Sequence, residues 1–248
     1  MRVALYYAPP IDDPLHDAAS AWLGRDAETN APRRQPDLPD ITAITEDARG
    51  YGFHATLKAP MRLAEGVSWD RFVSEVEDLA ASIRPFDLPR LSVQDVHGFL
   101  AIREAEPSHA LQALADLCVA SIDHLRAPLT ETELAKRRKN GLPPAQEALL
   151  ARWGYTYVFG EFFFHMTLTR RLSAAEKAIY LPAATDYFDA MLDHPRRVTD
   201  IAIFTQPSPS APFTIAQRFS LAPTFSRPPL PSPPTVILSK AKDPRFFS

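Results

Sequence analysis

Two tetrapeptides in this chain carry the same chemistry. His54-Ala55-Thr56-Leu57 and His165-Met166-Thr167-Leu168 both read His-x-Thr-Leu. Each sits in a short apolar stretch of strand character, Phe53–Lys58 and Phe162–Thr169. In a strand, residues i and i+2 project from one face. His54 therefore projects with Thr56 and His165 with Thr167, while Ala55, Leu57, Met166 and Leu168 point into the opposite layer. If the two strands face one another, two imidazoles and two hydroxyls line one cleft. That set suits a phosphoester. A neutral histidine takes a proton from water and a protonated one donates to the departing oxygen. The threonine hydroxyls donate hydrogen bonds to phosphoryl oxygens as charge builds there. Histidine fits because its charge changes near neutral pH. The second imidazolium supplies the positive charge, so the scheme requires no metal and no other cofactor.

A single His-x-Thr-Leu is weak evidence, because one histidine on a β-rich segment is ordinarily a satisfied, partly buried residue. Two copies at equivalent points of a repeat weigh more. After His54 the pattern predicts a helix over 68–83 and strands over 86–93 and 98–103. After His165 it predicts a helix over 173–192 and strands over 198–204 and 213–219. Ser68 is placed to cap the first helix, and Ser173-Ala174-Ala175-Glu176 reads as a capping box for the second. This internal repeat implies an α+β fold with two pseudo-symmetric sheet-plus-helix lobes around a central cleft.

The surrounding elements follow from the same signals. Val3–Tyr7 reads as a strand stopped by Pro9-Pro10, and Leu15–Leu23 as a helix ending at Gly24. Residues 25–50 are polar and read as loop. Ser108–Leu125 is a helix whose apolar stripe includes Cys118, which is therefore assigned to the core. Between the repeat halves, about 1–125 and 155–222, lies a helical insertion, 126–154, with a capping box at Thr130–Glu133. Residues 1–222 thus form one two-lobed domain. The last 26 residues hold seven prolines. Neither helix nor sheet propagates through such a run, so 223–248 is expected to be a disordered tail in which Val236–Leu238 could dock as a short strand.

The paired motifs resemble the two-histidine phosphoesterase superfamily. More narrowly, the chain resembles an uncharacterised branch of it, domain-of-unknown-function family 1045, associated with bacterial phosphonate-utilisation operons. The stretches that carry the resemblance are Ala18–Thr29, Tyr51–Pro60, Arg126–Arg137, Gln146–Gly154 and Phe164–Leu172. Together they imply a likeness over roughly residues 1–222, with both His-x-Thr motifs intact. One departure is Arg170, where glycine is usual; it bears on loop geometry rather than on the His/Thr set. The resemblance implies a bilobed, metal-independent enzyme that hydrolyses a cyclic phosphate. Its association with phosphonate breakdown implies a ribosyl cyclic phosphate as substrate. The readings set against this one are an RNA 2′,3′-cyclic phosphodiesterase or ligase-like enzyme, and a non-catalytic phosphate- or RNA-binding module. Two proton-transfer groups are more than binding alone needs.

Other residues belong to the candidate set. Lys58 continues the His54–Thr56 face by the same alternation, as Thr169 does in the other copy. Lys58 either holds phosphate or is a solvated lysine at a strand end. Tyr6 or Tyr7 could stack on a ribose or base, one of the two being core. Asp95 and His97 invite a metal reading with the motif histidines, although a turn explains the pair as well. Lys136–Lys139 is a basic run at a helix C-terminus, where positive charge complements the helix dipole. Alternatively, the insertion folds over the cleft and Arg137 and Arg138 clamp a second phosphate.

Composition excludes several classes. A chain of 248 residues with 46% hydrophobic and 23% charged residues can bury a core without staples. One cysteine rules out an intrachain disulfide framework. No apolar run reaches the roughly 18 residues of a membrane span, and the N-terminal apolar stretch is too short for a secretory signal, so a cytoplasmic monomer is expected. The net charge is −3, and residues 223–248 carry +3, so residues 1–222 carry −6. An acidic body is a poor trap for long nucleic acid, whose binding depends on cationic neutralisation of phosphates. A small-molecule cyclic phosphate is the expected partner.

Overall fold

A computed structural model describes residues 1–222 of the chain; the proline-rich segment 223–248, with Val236–Leu238, lies outside the described residues. The fold is α+β. Nine strands are described: β1 Arg2–Tyr7, β2 Ala55–Met61, β3 Phe86–Asp87, β4 Leu91–Val96, β5 Phe99–Glu104, β6 Met166–Arg171, β7 Arg197–Val198, β8 Asp200–Gln206 and β9 Thr214–Ser220. Eight α-helices accompany them among the described residues: α1 Pro14–Leu23, α2 Ile41–Ile44, α3 Glu46–Tyr51, α4 Trp69–Ser82, α5 His109–Ile122, α6 Glu131–Arg138, α7 Pro144–Trp153 and α8 Ala174–Leu192. Helices α2 and α3 occupy part of the stretch expected to be loop. Their polar composition hides Ile41, Ile44 and Ala48, which are buried. Among the described residues no helix is long and apolar enough to cross a membrane.

Seven strands form one antiparallel sheet in the order β4-β5-β6-β2-β1-β8-β9, and β3 pairs separately with β7. This order does not follow the sequence repeat. The hairpin β4–β5, from the first half, is attached to the second motif strand, β6. The hairpin β8–β9, from the second half, is attached through β1 to the first motif strand, β2. Each half of the sheet therefore combines strands from both halves of the chain. The two motif strands meet at the centre through the pair Ala55↔Met166.

Alternation assigns the faces. Val3, Leu5, Tyr7, Ala55, Leu57, Ile102, Met166 and Leu168 join the main core with residues of α1, α4, α5 and α8. Burying this apolar side chain set is the principal driving force for the fold, at roughly 25 cal/mol per Å². Cys118 lies in that core, and burial pushes its thiol up to about 12. The opposite face carries Ala4, Tyr6, Ala202 and Phe204, packed with Phe213 in a second, smaller cluster. Both capping boxes are formed: Glu133 returns to Thr130 and Glu176 to Ser173.

Candidate active site

The first histidine is built by a glycine. Gly52 follows α3 with φ 78, and a Cβ there would lie 2.5 Å from the Ala27 side chain. Only glycine fits that left-handed, close-packed turn. The turn aims the Gly52 carbonyl at His54, whose Nδ1 lies 2.8 Å away. His165 has the same relation to the residue two before it: Nδ1 is 3.0 Å from the Phe163 carbonyl. A carbonyl only accepts, so in both rings Nδ1 carries the hydrogen and Nε2 is the basic nitrogen. Each ring also rests on an aromatic floor. Tyr6 stacks on His54 at 3.8 Å and 19°, and Phe163 stacks on His165 at 4.5 Å and 19°.

Thr56 lies beside its histidine, its Oγ1 3.2 Å from His54 Nε2. Thr167 pairs in register with Ala101 on β5. All four motif residues are half-buried, whereas Ala55, Leu57, Met166 and Leu168 are buried. The two histidines are close enough that a charge on His165 lowers the proton affinity of His54. Burial is the largest influence on both rings. It brings His54 down to about 4 against the bond to Gly52, and it lowers His165 with help from the nearby Arg103 guanidinium. Both shifts favour the neutral imidazole.

The other sequence candidates part ways. Tyr6 is the tyrosine on the His54 face, but it is buried beneath the imidazole rather than open to a ligand; Tyr7 lies in the main core. Lys58 does not continue the His54–Thr56 face. A register shift leaves Leu57 as an extra residue, since Tyr6 pairs with Thr56 but Leu5 pairs with Lys58. Lys58 is buried under α5, with Nζ 3.4 Å from the Val119 carbonyl and 2.9 Å from Asp123 Oδ1. It is neither a solvated lysine nor a cleft residue. Thr169 leaves the face for the same reason: Ala101 pairs with Thr167, but Phe99 pairs with Arg171. Thr169 is buried, and its hydroxyl accepts the Leu100 N–H at 3.0 Å. Both motif strands thus bulge directly after their threonine. Arg170 lies inside β6, not in a loop, and pairs with Glu176 at 2.8 Å.

Asp95 and His97 belong to the β4–β5 turn. His97 (φ 51) and Gly98 (φ 104) are its two left-handed residues, as a tight hairpin requires. Asp95 accepts the Gly98 N–H at 2.8 Å and pairs with Lys177 at 2.8 Å. Among the described residues no group of three or more His, Cys, Asp or Glu is placed to hold a metal. The basic run divides. Arg138 turns outward to Glu147, its Nε 3.0 Å from Oε1. Arg137 turns inward, its guanidinium 5.0 Å from the centre of the Tyr155 ring.

Several residues around the site carried no signal in the sequence. A cavity of about 500 Å³ beside His165 is lined by Phe99, Gln146, Tyr155, Tyr157, Glu161, Phe163 and Arg171, and also by His97 of the β4–β5 turn. Tyr51 lies 6.1 Å from His54. Arg103 lies over the Phe163 ring at 5.6 Å. Only Arg103 was accessible to strand alternation, as the residue two beyond Ala101.

The sequence matches the family described as protein of unknown function (DUF1045) over residues 56–214. This chain is a DUF1045 protein. The matched span begins at Thr56, so His54 lies just before it and the second motif falls wholly inside. The DUF1045 chain is 39% identical over 239 residues to the protein of Janthinobacterium sp. (strain Marseille) named ribose 1,5-bisphosphate phosphokinase PhnN, covering 93% of this chain and 53% of that one. It is 34% identical over 220 residues to the protein of the same name from Laribacter hongkongensis (strain HLHK9), covering 88% and 51%. The chain spans about half the length of these curated relatives. Among solved structures it is similar to TT0787 of Thermus thermophilus, with a TM-score of 0.45, 16% identity and coverage of 90% of this chain and 100% of that one. It is also similar to E. coli LigT in apo form, with a TM-score of 0.41, 14% identity and coverage of 89% and 97%.

Proposed function

We propose that this DUF1045 chain is a phosphoesterase that hydrolyses a small cyclic phosphodiester by paired-histidine acid–base catalysis, without a metal. The observation that carries the reading is the equivalence of the two imidazoles. Each donates Nδ1–H to the carbonyl two residues earlier, and each keeps a basic Nε2 on the face it shares with a threonine. Such a bond fixes tautomer and ring orientation, which general acid–base catalysis requires.

His54 is the base. Its affinity for a proton is held down to about 4, so it is neutral and able to accept at any physiological pH. His54 Nε2 takes a proton from water as the water oxygen bonds to phosphorus. The phosphorus–oxygen bond of the ring breaks on the far side, and the departing oxygen takes a proton from His165 Nε2. The cycle closes when the His54 proton returns to solvent and His165 is reprotonated. The substrate anion makes His165 protonation possible, because a negative charge nearby favours the charged imidazole. Thr56 and Thr167 donate hydrogen bonds to the phosphoryl oxygens, and Arg103 adds positive charge behind His165.

The substrate class we test first is a ribosyl cyclic phosphate formed in phosphonate breakdown. The names of the two relatives support a phosphorylated ribose, and the acidic body argues against long RNA. The test is ring opening of ribose 1,2-cyclic, nucleoside 2′,3′-cyclic, nucleoside 3′,5′-cyclic and RNA-terminal cyclic phosphates, in EDTA. Turnover of a small ribosyl cyclic phosphate is expected. Preference for the RNA end would replace the substrate, and activity only after adding a divalent metal would overturn the mechanism.

A further inference from the structure

The stretch Ala18–Thr29 takes no part in the proposed chemistry, yet it holds a buried charge, Arg25, which is 8% exposed. The guanidinium is spent mainly on main-chain oxygens. Nε and Nη2 both donate to the Arg49 carbonyl, at 2.9 and 2.8 Å. Nη2 also reaches the Phe213 carbonyl at 2.9 Å and the Gly50 carbonyl at 3.4 Å. Nη1 donates to Asn30 Oδ1 at 3.1 Å. Burying a guanidinium is costly and weakens its hold on the proton; the carboxylate of Asp26, the next residue, acts the other way. A fork kept buried at that cost fixes whatever it bonds.

What it bonds is the turn that serves His54. The Arg49 and Gly50 carbonyls lie in the last turn of α3, where carbonyls lack partners within the helix and positive charge is favoured. Arg49 answers in kind, its Nε donating to the Leu23 carbonyl at the end of α1 at 2.9 Å. The crossed pair locks the two helix ends together. The Gly52 N–H donates to the Ala48 and Arg49 carbonyls, at 3.0 and 3.2 Å, so the Arg49 carbonyl holds both Arg25 and Gly52. A Cβ on Gly52 would lie 3.3 Å from Arg25 Nη2, which places the guanidinium against the turn itself. The Phe213 N–H donates to the Gly50 carbonyl at 2.8 Å, and its ring stacks on Tyr51 and lies 6.3 Å from Tyr6, the floor of His54. Arg25 thus ties down both the turn that aims the Gly52 carbonyl and the aromatic residue that backs the floor.

We infer that Arg25 is a positioning residue for His54: it holds the Gly52 turn so that the carbonyl keeps the hydrogen on Nδ1 and leaves Nε2 as the base. The consequence for turnover rests on the phosphoesterase reading above; the consequence for the ring does not. His165 has a different support. Its Nδ1 partner is the Phe163 carbonyl, and Arg103, not Arg25, donates to the adjacent Phe164 carbonyl at 3.0 Å. A change at Arg25 therefore reaches one histidine and spares the other. Lysine at position 25 keeps the charge but loses the planar fork that spans several carbonyls.

The experiment reads the ring nitrogens of both histidines by ¹⁵N NMR on the full chain, above about pH 8, where an imidazole is neutral. Steady-state opening of ribose 1,2-cyclic phosphate is measured beside it. In the wild type both rings should carry the hydrogen on Nδ1. Arg25→Lys should move it partly to Nε2 in His54, leave His165 unchanged, and lower kcat about 10–10²-fold with KM within about twofold, the scale of a misplaced catalytic group. Arg196→Lys is the control for general loosening, since Arg196 is also buried but bonds Asp13 at 2.8 Å; it should lower the melting temperature and alter neither ring. Asn30→Gly deletes only the Nη1 acceptor and suits the left-handed backbone there (φ 60). It should move His54 in the same direction by a smaller amount, and it decides the matter if Arg25→Lys does not fold. An unmoved His54, equal changes in both histidines, or the same change in Arg196→Lys would overturn the assignment. If the wild type opens no cyclic phosphate, a selective change in His54 keeps Arg25 as its support and rejects the reaction alone.

Discussion

His54 stands on Tyr6, beside Thr56 and under the Gly52 carbonyl, and these neighbours set both its tautomer and its charge. On the proposed mechanism His54→Ala and His165→Ala each lower kcat/KM by about 10²–10⁴-fold, the usual worth of a positioned base or acid. The double variant should lose less than the product of the two, since the groups act as a unit; normal turnover in either single variant would remove the pair from the reaction. A second outcome concerns stability. The folded-state value for His54 lies at about 4, below the ordinary 6.5. Between those values the unfolded chain binds the proton and the folded chain does not. The contribution is therefore present above about pH 6.5 and is lost as pH falls toward 4. Urea melts across that window should show His54→Gln losing less stability than the wild type; parallel slopes would show that the ring is not held neutral.

At the level of elements, the bulges after Thr56 and Thr167 let two catalytic-type residues share a face while the next side chain turns elsewhere. In β6 that next residue is Thr169, whose hydroxyl accepts the Leu100 N–H. Thr169→Val keeps the shape and deletes the acceptor, leaving a buried backbone donor unpaired. The expected cost is about 1–3 kcal/mol, read from the urea midpoint at unchanged m-value. Because the bulge sets how β5 meets β6, Thr167 should shift with it and kcat should fall as well. A loss of stability with unaltered kcat would separate the bulge from the site.

Across the whole molecule, Asp123 joins the motif strand to the insertion. It accepts from Lys58 of β2 at 2.9 Å and from Arg126 through Nε at 2.8 Å and Nη2 at 3.1 Å. Arg126 in turn packs against Gly154, where a Cβ would come within 2.8 Å of its Nη1. Asp123→Ala leaves Lys58 buried without a counter-charge, which typically costs about 3–5 kcal/mol. Adding Lys58→Met should recover most of that loss in thermal or urea unfolding. No recovery would mean that the Asp123–Arg126 contact, not the Lys58 pair, holds the strand to the insertion. The charge of the body acts at the same scale: RNA binding should be weak and vanish at moderate salt, and tight salt-resistant binding would bring the RNA-end reading forward.

Local regularities were legible in the sequence. The i, i+2 alternation of His-x-Thr, the capping boxes at Thr130 and Ser173 and the apolar stripe around Cys118 each depend on residues a few positions apart, so composition and spacing were enough to state them. The family resemblance rested on short segments of the same kind. Tertiary structure alone decided the rest. Lys58 and Thr169 left the motif face because a bulge is defined by the partner strand, which the motif itself does not contain. The hairpins attached to β2 and β6 come from the opposite sequence halves, because strand pairing minimises exposed edges and buried voids over the whole sheet rather than following chain order. Arg137 and Arg138 are adjacent in sequence and alike in chemistry. One faces Tyr155 and the other Glu147, because residues one apart on a helix point about 100° from each other and only packing determines what each direction meets.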